Sequence, residues 1–247
     1  MAAQNYKQHL KTNFNLAYPV MLSQLGHMMV NVADSVMVGQ LGVLPLAGVS
    51  LANGIFHVVM TFGIGITYAI TPFVAAADGE GNTARSSEFL KHAILINTVT
   101  GVLIFTLILV GGDILYYLDQ PEDVVEAAIP YLNILAFSMI PLMLFQTLRQ
   151  FMEGLSHTKQ AMIIIIGSNL INIGLNYVLI YGKLGFPELG LIGAGWASLI
   201  SRIALAAVIY AFVYFNKRFR AYREGFRLTN FKKHIIRKLL GIGLPAG

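Results

Sequence analysis

The chain has 247 residues, 56% hydrophobic and only 12% charged, about half the charged share of a soluble globular domain. That balance excludes a disordered chain and points away from a water-soluble fold. Cysteine is absent and the six histidines are scattered, which removes disulfides, thiolate metal sites and any HExxH-type zinc motif.

The N-terminus is short and basic, with Lys7 and Lys11. The apolar run that follows is too long for a signal-peptide core and no A-x-A site closes it, so it reads as a retained first membrane span. A span needs roughly 20 mainly apolar residues. Six stretches qualify in chain order: 14–38, 50–77, 89–111, 128–150, 161–182 and 191–215; a seventh begins near Leu239. Pro45 falls in the first outer loop, where it terminates structure. Pro19 falls inside span 1, where it leaves a carbonyl unpaired and bends the helix. Gly54, Gly63 and Gly65 on span 2 read as close packing positions.

The loops alternate in charge. Lys7 and Lys11 precede span 1, the 39–49 loop has no cation, and the 78–91 loop has Arg85 and Lys91. The 112–127 loop carries five carboxylates, the 149–160 loop has Arg149 and Lys159, and the 183–190 loop has Lys183 alone. The segment 216–238 has nine cations. By the positive-inside rule this is an even number of spans with a cytoplasmic N-terminus. Fifteen of the seventeen cations then lie inside, Lys183 outside, and Arg202 within a span. The basic segment lacks the aromatic pattern of a nucleic-acid surface and reads as a cytoplasmic loop lying on anionic lipid.

Residues 7–20 resemble residues 233–246. Lys7 matches Lys233, Leu10 matches Ile236, Lys11 matches Arg237, Phe14 matches Leu240 and Pro19 matches Pro245. Parallel repeats of a six-span half are a transporter architecture. The organisation expected is a six-span lobe over 1–215, a basic linker over 216–238, and the start of a second lobe over 239–247, with the chain a piece of a longer protein.

Away from the span ends, ionisable side chains are few: His27, Asp34, His57 and Arg202 stand out. A charge at mid-bilayer costs about 2.5–3.5 kcal/mol even on the mildest scale, so Asp34 is expected to face a cavity on an ion or substrate path. Asn169, Asn172 and Asn176 share one face of span 5, and Asn172 and Asn176 fall at a depth similar to Asp34. Ser198, two turns into span 6, completes a candidate polar pocket. Carboxylate, amide and hydroxyl oxygens there suit Na⁺, and a desolvated carboxylate suits a proton. Arg202 reads equally well as a carboxylate partner, a lipid-phosphate ligand or a cavity cap. GxSxG, P-loop and Rossmann motifs are absent, so no enzyme constellation emerges and any transport is secondary or served by another subunit.

The stretches "NVADSVMVGQLG" (31–42) and "PLAGVSLAN" (45–53) resemble the first-span signature of the multidrug and toxic compound extrusion (MATE) family, in its NorM-like branch. "FQTLRQFMEGLSHTKQAM" (145–162) resembles that family's junction between spans 4 and 5, and "NIGLNYVLIYGKLGFPELGLIGAGWAS" (172–198) its spans 5 and 6. The resemblance covers essentially the whole chain. It implies an all-α polytopic membrane protein, the N-terminal lobe of a twelve-helix antiporter of the inner membrane. Such a protein exports amphipathic and cationic drugs and dyes in exchange for Na⁺ or H⁺. No cofactor beyond the coupling ion is implied. The partners implied are small-molecule substrates, the bilayer and a second lobe. The family's cation-coupling Asp falls on Asp34, its fifth-span polar pair on Asn172 and Asn176, a sixth-span hydroxyl on Ser198, and its bending proline on Pro19. Some relatives carry a carboxylate where Asn176 stands, so this lobe holds one charge fewer. Two rival readings remain: a lipid-linked oligosaccharide flippase of the same superfamily, which would line its cavity with several cations, and a non-transporting membrane scaffold.

Overall fold

The structure, a computed structural model, describes residues 2–246, with the side chains of 14 and 17–245. Lys7, Leu10 and Lys11 of the internal repeat lie outside the described side chains. Every element among the described residues is helical. The α-helices are α1 (Ala2–Gly39), α2 (Val43–Tyr68), α3 (Ile70–Gly79), α4 (Thr83–Gly111), α5 (Glu122–Phe137), α6 (Met139–Gly154), α7 (Thr158–Tyr181), α8 (Gly190–Phe215) and α9 (Lys233–Ala246). Two 3₁₀ segments, Gly112–Tyr117 and Lys217–Phe226, complete the chain.

Two of the helix breaks fall one turn before a proline. Pro72 has no N–H to offer the Tyr68 carbonyl, and Pro141 none for that of Phe137. α2 ends at Tyr68 and α5 ends at Phe137. The stretches 50–77 and 128–150, each expected as one span, are therefore helix pairs, and α5 and α6 meet at 44°. Pro45 corrects its expected role. It sits in the first turn of α2, where no N–H is needed, so it starts a helix. Pro19 lies inside α1, which continues through it; one turn on, the Ser23 hydroxyl donates to the Pro19 carbonyl at 2.8 Å. Pro245 lies inside α9 in the same way. That helix begins at Lys233, six residues before the boundary expected from hydropathy.

Among the described residues, four runs are long and apolar enough to cross a membrane: Val43–Gly79, Thr83–Tyr117, Thr158–Tyr181 and Gly190–Phe215. The bent α5–α6 pair makes a fifth if it is one span. α1 is long enough, about 57 Å at 1.5 Å per residue, but is not among them. Its polar residues, Gln24, His27, Asn31 and Asp34, dilute its apolar character. The expected count of six apolar spans is thus five by composition, with α1 a sixth, more polar rod.

The outward faces carry exposed Leu103, Leu107, Ile163, Leu170 and Val208, the side chains a lipid-facing surface wants. Inside, α1 packs on α7, α7 on α8, α2 on α5 and α4 on α6. Gly63 is a packing position as expected: a Cβ there would lie 2.7 Å from Ile104 and 3.1 Å from Met143. Gly54 faces open space and is not one.

The basic segments gather at one end. Tyr222 Oη donates to Asp78 at 3.3 Å, Lys232 pairs with Glu88 at 2.5 Å, and the His157 ring meets Phe219 edge-on at 5.1 Å. At the other end Tyr181 Oη lies 2.8 Å from both the Met37 carbonyl and Gln40 Oε1, tying the end of α1 to the end of α7. Arg149 departs from its expected place in a loop. It lies within α6, 4% exposed, so two arginines are inside the bundle.

Candidate functional site

α7 and α8 approach each other closely at Gly193, where a Cβ would sit 2.5 Å from the Leu179 carbonyl oxygen. That contact brings the amide stripe of α7 onto the hydroxyls of α8, while α1 packs along the same face of α7. The result is a hydrogen-bonded chain across three helices. The Asn176 amide nitrogen donates to the Asp34 carboxylate and, at 3.1 Å, to Asn172 Oδ1. Asn172 Nδ2 donates to Ser201 Oγ at 3.1 Å, and Ser201 donates to the Ala197 carbonyl at 2.6 Å. Ser168 reaches the Ser201 carbonyl at 3.4 Å. Asn176 is 0% and Asn172 6% exposed.

A cavity of about 220 Å³ opens beside this chain, between α1, α2, α6, α7 and α8. Drug-sized ligands need roughly 300–1,000 Å³. This volume suits an ion with a few waters, at about 30 Å³ each. Among the described residues Asp34 is the one carboxylate lining it, and two arginines, Arg149 and Arg202, line it as well. Arg149 is already neutralised by Glu153, 2.8 Å away. Arg202 donates to Ser138 Oγ and lies over the Phe56 ring, 4.7 Å from its centroid. Buried polar atoms are left without partners on the cavity wall, at Gln146 Oε1 and Asn169 Nδ2, and in the adjoining chain, at Asn176 Oδ1. An unpaired buried polar atom costs on the order of 1–3 kcal/mol, so these atoms mark where a bound ion or water would be stabilised. A larger hollow of about 720 Å³ opens on the basic face between α4 and α9. There Arg85 is already paired with Glu80 at 2.5 Å.

The structure brings Asp34, Asn172 and Asn176 together as expected. It places Ser198 on the cavity wall, but the hydroxyl that hydrogen-bonds Asn172 is that of Ser201, one turn further along α8. Asn169 also lines the cavity, while the hydroxyl of Ser168 makes the contact with α8. His27 and His57 both line it, and His57 Nδ1 lies 2.7 Å from the Asn53 carbonyl. Gln146 and Arg149 were not expected in the site. Their signal was present but ambiguous: a polar pair at i and i+3 near a span's end reads first as the start of a loop. Tyr131 belongs to the surrounding network, reaching Asn53 Oδ1 at 3.4 Å.

The chain belongs to the MatE family, whose model matches residues 19–178. It is 32% identical over 216 residues to the Multidrug resistance protein NorM of Photobacterium profundum, covering 87% of this chain and 47% of that protein. It is 30% identical over 247 residues to the Probable multidrug resistance protein NorM of Photorhabdus laumondii, covering 100% and 54%. Among solved structures it is similar to an outward-facing multidrug resistance MATE family transporter of the MOP superfamily, with a TM-score of 0.86 at 24% identity over 96% of this chain and 51% of that one. A MOP superfamily transporter from Pyrococcus furiosus gives a TM-score of 0.85 at 23% identity, with the same coverage. These two likenesses show the fold. The chain spans about half the length of the curated relatives it matches.

Proposed function

We propose that this chain is the cation-coupling lobe of a secondary antiporter. The antiporter exports amphipathic and cationic drugs and dyes across the inner cell membrane in exchange for Na⁺ or H⁺. The observation that carries the reading is the Asp34–Asn176–Asn172–Ser201 chain, a single carboxylate held by a buried amide whose own oxygen is unpartnered. Amide oxygen and nitrogen exchange places by a half-turn of the side chain. That turn presents Asn176 Oδ1 to Asp34, the arrangement a protonated carboxyl or a shared Na⁺ requires. The coupling ion is the cargo, and the lobe needs no other cofactor and performs no covalent chemistry.

The energetics set what the site must do. Moving one charge through 100 mV supplies about 2.3 kcal/mol. A bound cation shifts the inward–outward balance only by its difference in affinity for the two states. In this reading the N-terminus is cytoplasmic, α1 with Pro19 is the moving helix, and drug binds between this lobe and a second one. The flippase reading needs a cavity rich in free cations. Glu153 cancels Arg149, so the cavity as a whole favours the antiporter.

The test is ethidium accumulation in energised cells making the gene's full product, with Asp34 intact or changed to Asn. Intact Asp34 lowers accumulation and Asp34→Asn abolishes that effect together with its Na⁺ or pH dependence. Unchanged efflux with unchanged ion dependence in the variant would sink the assignment.

A further inference from the structure

Arg202 is a buried charge that the coupling reading leaves without a task, and its surroundings hold it in a defined place. It follows Ser201 on α8, and Ser201 belongs to the Asp34 network. The guanidinium engages other helices: Nη1 donates to Ser138 Oγ, and the plane lies over Phe56 of α2 at 4.7 Å. Ser138 is 0% exposed and occupies the joint between α5 and α6, where its hydroxyl also donates to the Leu135 carbonyl at 2.6 Å. Adjacent residues of α8 thus connect the cation site on one side and a helix joint on the other.

The charge balance gives this placement a consequence. With Arg149 and Glu153 cancelling, Asp34 and Arg202 are the two charges of opposite sign that line the cavity. Ion pairs among the described residues join other groups, so Asp34 and Arg202 face one cavity without contact, and each acts on the other through it. Arginine keeps its charge under all cellular conditions. His27 and His57 also line the cavity; with both imidazoles neutral, it has no net charge when Asp34 is bare and one net positive charge when Asp34 holds Na⁺ or a proton.

We propose that Arg202 is the tethered counter-cation of Asp34, a positioning residue that offsets the carboxylate when the coupling ion leaves and so sets the ion concentration at which the site fills. This rests on the reading of Asp34 as the coupling site. When the ion arrives, the guanidinium is held back on Ser138 and Phe56. When it departs, the guanidinium is drawn toward Asp34, which loads or unloads the α5–α6 joint. Release of the ion, rather than its capture, is the step that Arg202 assists.

The experiment uses the gene's full product in liposomes, with ethidium efflux measured against Na⁺ at fixed pH and against pH without Na⁺. Arg202→Gln lowers the half-maximal ion concentration by about tenfold, the scale of one unit charge acting through a partly polar interior, and slows maximal efflux. Arg202→Lys keeps the charge and stays within about threefold of the parent. A merely structural loss would weaken ion dependence or abolish transport, never tighten it, so an unchanged or raised half-maximal concentration in Arg202→Gln overturns the proposal. Asp34→Asn run alongside separates the two readings. If it leaves ion dependence intact, the coupling assignment itself falls; if it abolishes it while Arg202→Gln shifts nothing, only the counter-cation role falls. Should Arg202→Gln fail to reach the membrane, the double variant Asp34→Asn with Arg202→Gln restores its abundance if the two charges offset each other. Failure to restore it refutes the pairing.

Discussion

Replacing Gly193 by Ala tests whether the contact between α7 and α8 builds the site. The added Cβ would lie 2.5 Å from the Leu179 oxygen, 2.7 Å from the Leu179 carbonyl carbon and 3.0 Å from the Ile180 nitrogen. All three are backbone atoms and cannot rotate away. Ordinary contact begins at 3.4 Å, so the closest contact must lengthen from 2.5 to at least 3.4 Å. A separation of that size carried along α8 breaks both the 3.4 Å contact of Ser168 with the Ser201 carbonyl and the 3.1 Å bond from Asn172 to Ser201. Overpacking costs about 1–3 kcal/mol, and each interhelical hydrogen bond within a membrane adds about 0.6 kcal/mol. The expected loss is about 2–4 kcal/mol. It is measured as the thermal midpoint of the detergent-solubilised protein, followed by circular dichroism of its helices. Gly167→Ala on α7, with nothing within 4 Å of its Cβ, is the control and should be neutral or slightly stabilising. A Gly193→Ala protein that melts with the parent would refute the argument that backbone contact sets the register of the site.

Two further outcomes follow from charges outside the Asp34 network. Glu153→Ala strands the guanidinium of Arg149, whose side chain is 5% exposed, and should cost about 3–5 kcal/mol; the double change Arg149→Met with Glu153→Leu should recover most of it, read by the same thermal assay. His157, between α6 and α7, is pushed below the ordinary 6.5 by burial first and then by the charge of Arg218. The packed state thus takes up its proton less readily than the loosened one. Packing of Phe219 on His157 is fully favourable above pH 6.5 and weakens as pH falls from 6.5 through the lowered folded value. Hydrogen exchange across 217–226 should rise over that window, and His157→Phe should flatten the response.

Hydropathy and charge made much of this lobe legible. Runs of Leu, Ile and Val in lipid need no tertiary information to become helices, because an unpaired backbone in hydrocarbon is prohibitive. The one-face spacing of Asn172 and Asn176 and the isolation of Asp34 likewise survive in one dimension. Arg149 shows where this reasoning stops. A cation near the end of an apolar run satisfies the positive-inside rule equally well from a loop or from inside a bundle. Its partner Glu153 and the depth of α6 decide which, and α6 is displaced by the break at Ser138. Ser198 and Ser201 show the same limit at finer scale: both lie on the cavity side of α8, and only the rotation of α8 against α7 selects the one within reach of Asn172.

Sequence alone therefore determined that the chain is helical and built for a membrane, and that Asp34, Asn172 and Asn176 carry part of its buried polarity. Those properties follow from local bonding and from transfer free energy, which act on each segment separately. Tertiary structure alone decided that Ser201 joins the Asp34 network, that Glu153 cancels Arg149, and that Arg202 lines the Asp34 cavity while reaching Ser138 at the α5–α6 joint. These depend on close approach of different helices, as at Gly193, and on angstrom-scale distances that no single segment encodes.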